Sequence, residues 1–62
     1  GLATLVGDLE DADPLVRSRA ILVLRDSVGE AFGFAPDDDP LERQAAVARW
    51  KGWLEQRRRQ RP

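Results

Sequence analysis

Apolar residues recur along this chain in three blocks, each with the spacing of a helix. In the opening LATLVGDLED, Leu2, Leu5, Val6 and Leu9 repeat at three- and four-residue intervals. That spacing places side chains on one face of a coil with about 3.6 residues per turn. Leu15, Val16, Ala20, Ile21, Val23, Leu24 and Val28 form a second block, and Leu41, Ala45, Ala46, Val47, Trp50, Trp53 and Leu54 a third. Between them lie DADP and EAFGFAPDDD, rich in turn formers. No window alternates with the two-residue period of a strand. The pattern predicts an all-α chain with helices over roughly 2–10, 14–30 and 40–58. The organisation that follows is a helical hairpin over 1–30, an acidic Pro/Gly loop over 31–39, and a closing helix over 40–59 with a basic tail at 57–62.

Two of the predicted helices begin alike, DPLVRSRA at 13–20 and DPLERQAA at 39–46. Asp13 and Asp39 suit the N-cap, where a carboxylate accepts otherwise unpaired N–H groups of the first turn. Pro14 and Pro40 then occupy the first helical position, where proline's missing N–H does no harm. Glu42, three residues after Asp39, completes a capping-box pattern. Superposed on this motif, apolar residues coincide at 15/41, 20/46, 21/47, 24/50 and 28/54. The expected shared core is therefore Val16, Ala20, Ile21, Leu24, Val28, Val47, Trp50 and Leu54. Gly29 is placed to stop the second helix. Gly7 weakens the first by about 1 kcal/mol relative to Ala. Phe32 and Phe34 are expected to fold back over the helix pair.

Leu5 and Leu9, followed by Asp13-Pro14, Val16, Arg17, Ala20 and Leu24, resemble the HEAT repeat. In that family a first helix ends in a short Asp-rich turn, and the second opens with Asp-Pro-x-Val-Arg-x-x-Ala. The resemblance implies that Ala20 permits close helix approach and that Leu24 fills the seam. It also implies that Arg17, and by analogy Arg43, pairs with acids at the turn or on a neighbouring repeat. Residues 2–29 cover one such unit. Phe32 to Gln56 is similar to the closing segment of bacterial HEAT-repeat proteins, where an Asp-rich loop leads into a helix carrying Arg-Trp-x-x-Trp, here Arg49, Trp50 and Trp53. The offset between the two Asp-Pro motifs is 26 residues, short of the roughly 40 of a tandem array. The resemblance thus implies one HEAT-like hairpin plus a capping helix, a fragment of an α-solenoid.

Composition narrows the chemistry. The 62 residues contain no Cys and no His, so neither disulfide nor thiolate–imidazole zinc can staple so small a unit. The chain opens on Gly1 rather than Met, which points to excision from a longer helical-repeat protein and to neighbouring repeats of that chain as partners. Its longest apolar run, Ala20 to Leu24, is far short of the roughly 20 residues that span a bilayer, so no membrane association is expected. No compartment is marked, and a soluble cytoplasmic setting is the working expectation. The formal net charge of −1 hides a strong asymmetry. Residues 1–42 hold ten acids against three arginines, and residues 43–62 hold seven bases against Glu55 alone. Such asymmetry marks either an interaction tail or two mutually attractive halves.

Candidate sites are few. Asp37, Asp38 and Asp39 lack the staged Asp-x-Asp-x-Asp-Gly spacing and distal Glu of a calcium loop, and read as cap and solvated loop. Trp50 and Trp53 could anchor a partner, but their helical spacing favours core packing. Arg57, Arg58, Arg59 and Arg61 could contact phosphates. Without interleaved aromatics they read first as a solvated helix end, suited to the negative pole of the helix dipole. Thr4, Ser18 and Ser27 have no base nearby in sequence, and no cofactor motif is present. The expectation is a non-catalytic module for protein–protein interaction or scaffolding, with a nucleic-acid-associated module using the Arg cluster as the alternative.

Overall fold

The structure, a computed structural model, describes residues 1–60. They form α1 (Leu2–Asp8), α2 (Pro14–Val28) and α3 (Pro40–Arg59), with no strand among the described residues. The all-α, three-helix reading of the pattern holds.

α1 stops earlier than its apolar spacing predicts. The amides of Leu9, Glu10 and Asp11 bond to the carbonyls of Val6, Gly7 and Asp8, each three residues back. This is the tighter 3₁₀ register, and it carries Leu9 inward to 1% exposure. The Asp11 carboxylate then accepts from the Asp13 amide at 2.8 Å, and Asp13 accepts from the Leu15 amide at 2.9 Å. α2 therefore begins with a formed N-cap. It ends at Gly29, whose φ of 81° is the left-handed conformation that glycine adopts without strain.

The second Asp-Pro start is built differently. Asp39 makes no side-chain cap bond. The capping box expected of Asp39 and Glu42 needs the Glu42 carboxylate to take the Asp39 amide, but Asp38 Oδ1 already accepts that N–H at 3.1 Å. The two aspartates should consequently differ in energetic weight. Asp13→Ala is expected to cost about 1 kcal/mol and Asp39→Ala only a few tenths, measurable as different midpoint losses in denaturant titrations.

The turn at 9–13 folds α2 back along α1. α3 runs antiparallel to α1: Leu2 and Ala3 face Leu54 and Arg58, whereas Glu10 pairs with Lys51 at 3.1 Å. α1 packs on both longer helices, but no Cα of α2 lies within 8 Å of a Cα of α3. The connecting segment 29–39 returns between them and supplies the missing layer, with Phe34 buried and Phe32 against the Trp50 ring.

The core is one cluster: Val6, Leu9, Ala20, Ile21, Leu24, Phe34, Ala46, Val47 and Trp50, with Val28, Trp53 and Leu54 partly buried at its margin. Two expectations are corrected here. Val16 is only half-buried and lies outside the cluster. Leu15 and Leu41, matched by the superposition, are 69% and 72% exposed. The reason is helical phase. The inward stripe of α2 runs through 17, 20, 21, 24 and 28, and at about 100° per residue Val16 falls on its flank while Leu15 falls opposite. An arginine, Arg17, occupies the middle of the apolar stripe.

Candidate functional site

Arg17 is 9% exposed and binds carbonyls, not acids. Its Nη1 donates to Asp11 O at 2.8 Å and Ala12 O at 3.1 Å, and its Nε donates to Pro36 O at 3.2 Å. It therefore ties the α1–α2 turn to the segment leading into α3. Arg43 makes a smaller version of the same contact, Nη1 to Asp38 O at 2.7 Å, at a half-buried position. Neither makes an ion pair among the described residues, which corrects the pairing with acids at the turn that the resemblance implied. In both copies the arginine reaches the carbonyl five residues back, just before the Asp-Pro pair. Helical side chains lean toward the N-terminus, so an arginine at the fourth helical position is aimed over the first turn at the preceding loop. Asp-Pro-Leu-x-Arg is a helix start with its own loop clamp.

A second node joins the 29–39 segment to α3. Arg49 Nε donates to Phe32 O at 2.7 Å, and the indole N–H of Trp50 donates to Ala31 O at 2.9 Å. Phe32 and Gly33 both have positive φ, 53° and 76°, and the Glu30 carboxylate accepts from the Ala31 and Phe32 amides to hold this bend. A Cβ on Gly33 would stand 2.9 Å from Arg49 Nη2, so a larger residue there would displace the guanidinium as well as strain the positive φ. Sequence analysis named Arg49 only as part of Arg-Trp-x-x-Trp and missed its bond to the Phe32 carbonyl. The signal was available in Gly33, whose role depends on what covers it.

The aromatic pair is placed unequally. Trp50 is fully buried, with Phe32 edge-on at 4.7 Å and Trp53 edge-on at 5.6 Å. Trp53 is half-buried, and the Arg57 guanidinium sits 5.4 Å from its ring centre, within cation–π range. Arg59 pairs with Glu55 one turn back at 3.4 Å. Arg58 is exposed and has no ion pair among the described residues. Arg61 lies outside the described residues.

The remaining unusual surface is on α2. Leu15 is 69%, Leu22 54% and Val23 47% exposed. Leu15, Arg19, Leu22 and Asp26 share the side of α2 turned away from the core, with Val23 on its flank. Sequence analysis put Leu15 on the shared apolar face, left Leu15 and Val23 out of the expected core, and did not single out Leu22.

Among the described residues no three acidic, His or Cys side chains converge as metal ligands, and no helix is long and apolar enough to cross a membrane. No protein-family model, curated protein or solved structure matches this chain.

Proposed function

We propose that this chain is a non-catalytic helical-repeat unit of the HEAT kind, whose work is protein–protein contact or scaffolding, and that it forms a terminal part of a longer solenoid. The observation that carries this reading is the outer side of α2, where Leu15, Leu22 and Val23 stand in solvent. Scattered exposed apolar residues are ordinary, but grouped ones mark contact surfaces. In stacked helical repeats each unit covers its neighbour's apolar face. The Asp13-Pro14 start, the close-packed Ala20 and the buried Leu24 agree with the resemblance, and α3 with its basic last turn would close one end of the stack.

The alternative, a nucleic-acid-associated module, draws on Arg57, Arg58 and Arg59. It is the weaker reading, because Arg57 rests on Trp53 and Arg59 is partnered by Glu55. Site-specific photo-crosslinking in the producing cell separates the two. A photoreactive residue at position 22 should give protein adducts, within or between chains, that the same residue at the exposed position 48 does not give. Nucleic-acid adducts from position 58 with none to protein from position 22 would establish the alternative instead.

A further inference from the structure

The two ends of the molecule are complementary to each other. Near one end, α1 and the C-terminal half of α3 enclose an open groove of about 500 Å³. Leu2, Ala3 and Leu54 supply its apolar walls, and Lys51, Arg57 and Arg58 its charged rim. Glu55 also lines it but is engaged by Arg59. Lys51 already holds a carboxylate, that of Glu10, at 3.1 Å. At the other end, where α3 starts, stands DDDPLE, residues 37–42. Leu41, the most exposed large apolar side chain in the chain at 72%, is there flanked by Asp37, Asp38, Asp39 and Glu42, all exposed. One end presents an apolar knob set among carboxylates, and the other an apolar groove edged by cations.

We propose that the groove receives the 37–42 segment of a second copy of this chain, Leu41 entering between Leu2 and Leu54 while Asp37 and Glu42 meet Arg57, Arg58 and Lys51. The two surfaces occupy different parts of the molecule, so each head-to-tail contact leaves one groove and one 37–42 segment free to bind further copies. Overall net charge is −1, so whole-molecule repulsion does not oppose it. The contact is small and charge-dominated, which places it among weak, salt-sensitive associations. It uses neither Leu22 nor Val23, so it stands or falls separately from the α2 surface.

Sedimentation of the purified chain tests this. At low salt, average mass should keep rising with concentration past the dimer toward about 1 mM, and the association should weaken about tenfold or more between roughly 50 mM and 0.5 M NaCl. Leu41→Ser should abolish it. Arg57→Glu with Arg58→Glu in one chain, and Asp37→Lys with Glu42→Lys in another, should each stay monomeric with unchanged far-UV circular dichroism. Mixing these two charge-reversed chains should restore association, since each then meets an opposite surface. A wild type monomeric throughout this range, a mass that stops at dimer, or charge variants that associate like wild type would each overturn the proposal. If a double variant loses helicity, the single Arg58→Glu and Asp37→Lys chains give the same comparison, because neither side chain makes a hydrogen bond or ion pair among the described residues.

Discussion

Trp50→Ala is expected to leave most of the chain unfolded at 25 °C. Trp50 is the largest fully buried side chain, and it joins three parts of the fold. Its ring meets Phe32 from the connecting segment and Trp53 one turn along α3, and its N–H satisfies Ala31 O. Truncation removes the apolar burial, opens a cavity and leaves a part-buried carbonyl without its donor. Large-to-small changes of this kind cost about 3–5 kcal/mol. At about 0.05–0.15 kcal/mol per residue, a 62-residue chain holds a total of comparable size. Trp50→Phe separates the contributions: it retains an edge-on aromatic contact and loses the indole donor, with an expected cost of about 1–3 kcal/mol. Guanidinium titrations followed by circular dichroism read both. A Trp50→Ala chain as cooperative and as stable as wild type would mean that the connecting segment does not depend on this ring.

The number of helices was legible in the sequence because each start and stop is written in residues with a strong local preference. Asp13-Pro14, Gly29 and Asp39-Pro40 act within one turn of themselves, so no knowledge of the rest of the chain is needed to read them. The phase of α2 was legible through Ala20, Ile21, Leu24 and Val28 and blurred only at its first turn, where Val16 was taken for the stripe. Apolar periodicity finds a stripe only to within about one residue, or 100°, and the residue at the centre of this stripe is Arg17, which any apolar count discards. Leu15 and Leu41 were misplaced for a related reason. They follow a proline at the first helical position, where the identity of the residue is set by the turn and says little about burial. The role of segment 29–39 as a packed layer also escaped the pattern, because its phenylalanines sit in a Gly/Pro context that reads as loop, and only the wide separation of α2 and α3 requires it to fill space.

The candidate surfaces divide in the same way. That Trp50 and Trp53 belong with packing followed from their helical spacing, and their unequal burial follows from Phe32 and Arg57, contacts that no spacing rule supplies. The exposed side of α2 was hidden because Leu22 and Val23 adjoin the buried Ile21 and Leu24 in one apolar run. In such a run one helical face must lie outward, and only the position of α1 decides which.

Arg17→Ala is the second large effect expected, at about 2–4 kcal/mol, since bonds from a charged donor contribute about 1.5–3 kcal/mol and the carbonyls that lose their donor are partly shielded from water. The comparison that makes this specific is with Arg43→Ala. The two arginines occupy the same place in the same motif and reach the same relative carbonyl, but Arg17 is buried and bridges two segments, whereas Arg43 is more open and holds only its own loop. Arg43→Ala should therefore cost less, about 1 kcal/mol or under, the contribution of a single hydrogen bond that water can replace. Arg17→Lys should recover only part of the loss, because a single ammonium cannot span Asp11, Ala12 and Pro36 as the planar fork does. Amide exchange locates the damage: in Arg17→Lys, protection should fall first at the α1–α2 turn and around residues 34–38, with the α3 amides beyond Val47 retaining theirs. Equal losses from Arg17→Ala and Arg43→Ala would show that the motif acts only through its own first turn, and that the bridge between the two loops contributes nothing to holding α3 against the hairpin.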